Sequence, residues 1–115
     1  MSNLFPETSV YSLRDRLGMS ENYDVYIGRK MGNLHPESPY HNPFRIGYDG
    51  DRDDVILKFI EYWYSPKQQE LRHAAAEQLF GLRLGCWCRP LPCHGDIIAG
   101  YVNWKNGLTF HTDMV

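Results

Sequence analysis

The segment from Leu82 to Asn103 constrains the fold more than any other part of the chain. Leu82–Cys88 is a short, largely apolar run, which is typical of a buried strand. Pro90 and Pro92 end that strand, because proline cannot donate to a sheet. The next stretch, Gly95–Asn103, predicts a short helix. A buried strand that leads into a helix favours an α/β fold.

Two further strands and a long loop are predicted upstream of this segment. Ser9–Arg14 has a short apolar alternation, and Asp24–Gly28 is rich in β-branched and aromatic residues. The next part of the chain, Arg29–Gly50, contains three prolines and no helical or strand pattern. A loop of this length in a small domain is more often functional than idle.

Two helices are predicted between the loop and the buried strand. The first begins after Asp51 as its N-cap, and its apolar face repeats at helical spacing (Ile56, Phe59, Ile60 and Trp63). The second begins after Ser65, with Pro66 at its first position and Gln68 completing a capping box. Gly81 ends it. Downstream, Asn106-Gly107 between Trp104 and Phe110 is a candidate hairpin turn.

With 115 residues, the chain has room for one domain and one core. We therefore predict a single small α/β domain over residues 1–115, with a core of about 9–103 and a C-terminal tail of 104–115. Its sheet is expected to be mixed or parallel, with few strands and three flanking helices.

Composition excludes several classes of function. The net charge of −2, without runs of like charge, argues against a broad nucleic-acid-binding surface. No stretch approaches the roughly 20 apolar residues of a membrane span, and the first ten residues do not resemble a signal peptide. The three cysteines are odd in number and lie within eight positions. They predict reduced thiols and a cytoplasmic protein rather than a secreted disulfide framework.

The densest group of reactive side chains runs from Cys86 to Asp96. On a strand, Cys86 and Cys88 project from the same face. After the prolines, Cys93, His94 and Asp96 stand at the start of a helix, where backbone N–H groups favour anions and lower the pKa of thiols.

Three interpretations of this group stay open. A zinc site would use four ligands (Cys86, Cys88, Cys93 and His94), although their spacing differs from the common C-x₂₋₄-C pattern. A catalytic site would use Cys93, as the more exposed thiol, with His94 and Asp96. A purely structural role would bury Cys86 and Cys88 in the core and leave His94 and Asp96 to cap the helix.

The run Leu84–Asp96 resembles the signature of the DUF4326 family, small domains of bacteria and bacteriophages. Three other blocks resemble the family in the same order: Tyr26–Arg29, Asn42–Gly47 and Gly50–Ile56. The chain departs from the family pattern in its longer loop over residues 30–40 and in His41, which stands where the family usually has glycine. The resemblance implies a phage accessory protein and names no reaction.

These blocks predict one pocket. If the strands ending at Gly28 and Cys88 are parallel neighbours, both ends lie on one sheet edge, beside the start of the last helix. Arg29 and Arg52 would bind an anion there, and Asn42 would offer its amide to a base or ribose. Gly28 and Cys88 are predicted to line the same ligand site. The alternatives are a surface salt bridge for Arg29 and an ordinary turn at Asn42.

The predicted function is recognition of a small anionic, nucleotide-like ligand in the cytoplasm of a bacterium or a phage-infected host. In a catalytic version, the domain also converts that ligand. The alternative is a structural zinc-binding or protein-interaction module without catalysis.

Overall fold

The computed structural model of the chain describes residues 7–13, 23–87 and 91–108. Its strands are β1 (Ser9–Ser12), β2 (Val25–Tyr26) and β3 (Arg83–Cys86). Its α-helices are α1 (Arg52–Trp63), α2 (Gln69–Gln78) and α3 (His94–Lys105), with a short 3-10 turn at Pro66–Gln68 before α2. Along the chain the order is β1, β2, α1, α2, β3, α3.

The sheet has β3 at its centre, with β1 and β2 as parallel neighbours on either side. Val10 and Val25 both lie in register with Leu84. The predicted α/β fold with a parallel sheet is confirmed. Because β2 and β3 run in the same direction, their carboxyl ends meet at one edge, which is where α/β sheets place their ligands.

The two faces of the sheet are covered in different ways. On one face Leu84 is fully buried, and α3 approaches so closely that a Cβ on Gly95 would lie 2.8 Å from Cδ1 of Ile27. On the other face the Tyr23 ring lies over Gly85, where a Cβ would come within 2.7 Å of it. These two glycines allow close packing on both sides of the central strand.

Helix α1 forms where the sequence predicts it. Asp51 caps the helix and forms a reciprocal capping box with Asp54. Val55, Phe59 and Trp63 are buried, and the Phe59 and Trp63 rings stack with centroids 5.8 Å apart. Ile56 and Ile60, predicted on the same face, are only partly buried.

The start of α2 differs from the prediction. Ser65 makes no capping hydrogen bond, and its hydroxyl instead donates to the Tyr62 carbonyl at 2.8 Å. Pro66 does occupy the first helical position, but it opens a 3-10 turn and not an α-helix. The predicted capping box with Gln68 is wrong because the Ser65 hydroxyl bonds to the preceding helix.

The strands are shorter than predicted and α3 is longer. The backbone of Asn106 bonds to the carbonyls of Val102 and Asn103, and Gly107 has a φ of 89°. Asn106-Gly107 therefore ends α3, and Phe110, the far side of the predicted hairpin, lies outside the described residues. In the described ranges, none of the helices combines the length and the apolar character needed to cross a membrane.

A buried polar contact joins the start of β1 to the end of α3. The side-chain amide of Asn103 accepts from the Thr8 backbone N–H at 2.8 Å and donates to the Thr8 carbonyl at 3.0 Å. The Thr8 hydroxyl donates to the Leu79 carbonyl and accepts from the Gly81 N–H. Thr8, just before β1, is thus hydrogen-bonded both to α3 and to the turn after α2.

Candidate functional site

A cavity of about 470 Å³ lies at the carboxyl edge of the sheet. The end of β2, the long loop, the start of α1, the end of β3 and the start of α3 all contribute to it. This position agrees with the edge at which ligands bind in parallel α/β sheets.

Six of the residues predicted as site residues line this cavity: Gly28, Arg29, Asn42, Arg52, Cys93 and His94. Cys86, predicted only as a zinc ligand, lines it too. Cys88 lies outside the described residues. Asp96 does not line the cavity. The predicted convergence of distant segments is therefore present for most of the set, while the roles assigned to these residues stay predictions.

The cavity wall has a strong charge bias. Four cationic side chains line it: Arg29, Lys30, Arg45 and Arg52. Among the described lining residues there is no aspartate or glutamate. Since the whole chain has a net charge of −2, this bias is local and does not follow from the composition. A concave region with one sign of charge concentrates ligands of the opposite charge.

Two of these arginines also hold the cavity wall together. A guanidinium nitrogen of Arg29 donates to the Phe44 carbonyl at 2.6 Å, which joins the end of β2 to the loop. Arg52 donates to the Pro92 carbonyl at 3.3 Å, which joins the start of α1 to the turn before α3. A guanidinium has several donors, so one such bond fixes the arginine and leaves it able to bind an anion.

Aromatic rings form another part of the wall. Four of the lining residues are aromatic: Tyr26, Phe44, Tyr48 and Trp87. Tyr48 is 83% exposed although it is a large apolar side chain, and the Arg45 guanidinium lies 6.0 Å from its ring centre. An exposed ring beside a cation suits a ligand that has both a flat face and a negative charge.

Asn42 makes two hydrogen bonds within the protein. Its side-chain oxygen accepts the Phe44 backbone N–H at 2.9 Å, and its amide nitrogen donates to the Val55 carbonyl at 3.4 Å. These bonds fasten the loop to α1 and shape the cavity. A carboxamide has a second N–H and a second lone pair, so the contact of Asn42 to a base or ribose stays a prediction.

The prediction of reduced, separate thiols is wrong for two of the cysteines, because Cys86 and Cys93 form a disulfide. Parallel pairing brings the end of β3 beside the start of α3, which the count of three cysteines could not reveal. Both residues are 2% exposed, so Cys93 is not the more exposed thiol that the sequence suggests.

His94 is held in one orientation and one tautomer. Its Nε2 lies 2.9 Å from the Ile27 carbonyl and 3.1 Å from the Tyr40 carbonyl. Since carbonyl oxygens only accept, Nε2 bears the proton. Burial lowers the pKa of His94 to about 4, which keeps the ring neutral at physiological pH. The lone pair of Nδ1 therefore points to Cys93 Sγ, 3.7 Å away.

The helix starts are less open to anions than the sequence suggests. An oxygen of Asp96 accepts the Cys93 backbone N–H at 3.1 Å, and Cys93 Sγ accepts from the Gly95 N–H at 3.3 Å. Helix α1 has the matching Asp51–Asp54 box. Because side chains of this chain already occupy donors at both helix starts, the cations are the main attraction for an anion.

Part of the wall was not predicted from the sequence. Lys30, Arg45 and Tyr48 lie in the long loop and were not singled out, although basic and aromatic residues in such a loop are a visible signal. His35 was also missed, and its ring stacks on Tyr26 with centroids 4.0 Å apart. This contact folds the loop back over the outer face of β2.

Comparisons with known proteins agree with the resemblance seen in the sequence. The family model described as "Domain of unknown function (DUF4326)" matches residues 12–104. An uncharacterised 12.4 kDa protein from the nrdA-td intergenic region of Enterobacteria phage T4 is 60% identical over 60 residues, which are 50% of this chain and 56% of that protein. The match thus covers little more than half the length of this relative, and its phage origin links the chain to phages. No solved structure matches the chain.

Proposed function

This chain belongs to the DUF4326 family of domains of unknown function, and we propose that it binds a small anionic, nucleotide-like molecule in the cavity at the sheet edge. The observation that supports this most directly is the cationic wall formed by Arg29, Lys30, Arg45 and Arg52. Phosphate groups are the ligands that such guanidinium and ammonium groups bind best.

The aromatic part of the wall supports a planar group on the same ligand. The exposed ring of Tyr48 offers a flat surface, and stacking on aromatic side chains tolerates any base. The volume of about 470 Å³ lies within the usual range of about 300–1,000 Å³ for small-molecule sites. A molecule with one flat ring and one or more phosphates fits these properties together. We place this activity in the cytoplasm of a bacterium or a phage-infected host.

Titration calorimetry against a graded panel tests the proposal. The panel contains nucleosides, nucleoside mono-, di- and triphosphates, and inorganic phosphate. We expect nucleotides to bind more tightly than the matching nucleosides and more tightly than phosphate, because the cavity offers both charge and ring faces. If none of these compounds binds a correctly folded protein, the proposal is wrong.

A matched pair of variants assigns the binding to the cavity. Arg45→Gln removes a cation from the wall, and Lys67→Gln removes one from the exposed 3-10 turn that does not line it. Both lower the net charge equally. We expect Arg45→Gln to weaken nucleotide binding roughly threefold to tenfold and Lys67→Gln to leave it unchanged. Equal weakening by both would show a general charge effect and contradict the cavity.

Conversion of the ligand remains a narrower proposal within this one. Its support is the pairing of Cys93 Sγ with the lone pair of His94 Nδ1 at the cavity wall. In the reduced protein, the lone pair of His94 Nδ1 would accept a hydrogen bond from the Cys93 thiol and orient its sulfur atom. Asp96 is a positioning residue in this scheme, because it caps α3 and lies outside the lining. Turnover by the reduced wild type that is lost in Cys93→Ser, with nucleotide affinity retained, is the expected result.

A further inference from the structure

Three potential metal ligands meet at one point of the cavity wall. The sulfur atoms of Cys86 and Cys93 and a ring nitrogen of His94 all lie within 4.8 Å of one another, and the three residues are buried. Cys86 comes from the end of β3 and the other two from the start of α3, so the parallel sheet creates the group. The arrangement is independent of whether the cavity binds a nucleotide.

The orientation of His94 is the one that a metal ligand needs. Its Nε2–H is held by the carbonyls of Ile27 and Tyr40, so Nδ1 presents its lone pair to the sulfur atoms. Metal-binding histidines almost always donate their other ring N–H to a carbonyl, a carboxylate or water in this way. The protein already supplies this outer contact.

The backbone at the start of α3 donates to the sulfur atom of Cys93. Its Sγ accepts the Gly95 N–H at the first turn of α3, where the helix dipole stabilises negative charge. Reduction of the disulfide frees two sulfur atoms on backbone positions whose Cα atoms are 7.6 Å apart. An ion can then lie between these sulfur atoms, at about 2.3 Å from each.

We propose that the reduced chain binds one Zn²⁺ ion at this point through Cys86 Sγ, Cys93 Sγ and His94 Nδ1. A phosphine reductant cleaves the S–S bond and is oxidised to its phosphine oxide, and one water molecule supplies the oxygen atom and the protons of the two thiols. Each thiol then releases its proton on binding the ion. Two thiolates and a neutral imidazole are a ligand set that selects zinc over magnesium or calcium.

The test uses the full chain, reduced with a phosphine under anaerobic conditions and titrated with Co²⁺ and then Zn²⁺. We expect one ion per chain and the charge-transfer absorption of cobalt bound to sulfur, which Zn²⁺ displaces. Protein that keeps its disulfide should bind neither ion. A reduced, folded chain that binds less than one ion, or that binds cobalt without sulfur absorption, overturns the proposal.

Variants identify the ligands. Cys86→Ser, Cys93→Ser and His94→Gln should each weaken Zn²⁺ binding by roughly 100-fold or more, with circular dichroism confirming that each variant folds. If a single serine variant fails to fold, alkylation of the reduced wild type supplies the same test, because it blocks the sulfur atoms directly. His73→Gln, which changes an exposed histidine of α2, is the control and should retain binding. Loss of zinc in His73→Gln would overturn the proposed site.

Discussion

At the scale of single residues, one buried amide has a large structural role. Asn103 is 4% exposed and bonds to both the N–H and the carbonyl of Thr8. The backbone of a strand's first residues normally finds partners in the sheet or in water. Here a side chain from α3 supplies both partners, so β1 depends on the helix for its anchorage.

We predict that Asn103→Ala lowers the free energy of unfolding by about 2–4 kcal/mol, because it leaves two buried backbone groups without partners. Asn106→Ala is the matched control. Its amide also makes two hydrogen bonds, to the carbonyls of Ala76 and Val102, but the residue is exposed and water can replace them. We expect a loss of about 1 kcal/mol or less. Urea denaturation of both variants measures the difference, and equal losses would contradict the role of burial.

Asn103 also shows which kind of contact cannot be predicted from the sequence. The sequence places it at the end of a predicted helix and gives no sign that its partner is Thr8, more than ninety positions earlier. By contrast, the Asp51 cap is predictable because its partner, Asp54, is three residues away. Contacts between neighbours in sequence can be inferred from spacing, whereas contacts made by the fold cannot.

At the scale of elements, the close approach of α3 to the sheet rests on a glycine. Gly95 is buried, and a Cβ there would lie 2.8 Å from Ile27 Cδ1 and 3.2 Å from a Val10 methyl. Gly100 lies in the same helix but faces solvent, with no atom near its ideal Cβ position. The two glycines allow helix propensity to be separated from packing.

We predict opposite effects for the two alanine variants. Gly100→Ala should raise the free energy of unfolding by about 0.5–1 kcal/mol, because alanine is the better helix former. Gly95→Ala gains the same propensity but overpacks the core at a cost of about 1–3 kcal/mol, so a net loss of about 1 kcal/mol is expected. Denaturant titration gives both values. A gain in Gly95→Ala would show that α3 does not pack on the sheet as described.

The elements differ in how far the sequence predicts them. Helix α1 is predictable because its cap and its apolar face are local features of the chain. The start of α2 is not, because the Ser65 hydroxyl has a competing acceptor in the Tyr62 carbonyl. The strands occupy only part of their predicted ranges. For example, β2 is limited to the two residues that pair with Leu84 and Gly85.

At the scale of the whole molecule, one ion pair makes the stability of the fold depend on pH. Arg83 donates through Nε and a terminal nitrogen to the Asp24 carboxylate at 3.1 and 2.9 Å, and its backbone N–H donates to the same group at 2.8 Å. The side-chain bonds from Arg83, followed by the backbone bond, lower the pKa of Asp24 from 3.8 to about 2. The pair joins the residue before β2 to the central strand.

Because the pKa of Asp24 is lower in the folded chain, the unfolded chain takes up the proton first as the pH falls. The contribution of Asp24 is therefore complete above about pH 4 and is lost between pH 4 and about 2. We predict that wild type exceeds Asp24→Asn in melting temperature at pH 6, and that this difference disappears near pH 2. Glu61→Gln, an exposed change of the same charge in α1, is the control and should show no comparable difference.

For the candidate site, the sequence predicts which segments of the chain converge better than it predicts the bonds that their side chains make. The parallel arrangement of strand ends follows from topology rules, so the convergence of Arg29 with Cys93 and His94 can be foreseen. The disulfide and the bonds of Asn42 depend on distances of a few ångströms. Such distances are set by the packed fold, and no spacing along the chain encodes them.

Because β3 is the central strand, the sheet cannot form during translation until β3 has been synthesised. Among the described strands, β1 and β2 leave the ribosome first, and both pair with β3, which is synthesised after them. Contacts between such distant segments form slowly, because a long loop must close before they are gained. The same segment brings Cys86 to the cavity wall. The described sheet is therefore completed late in synthesis, and the wall later still, when α3 follows with His94. A nascent chain that stops short of β3 has neither.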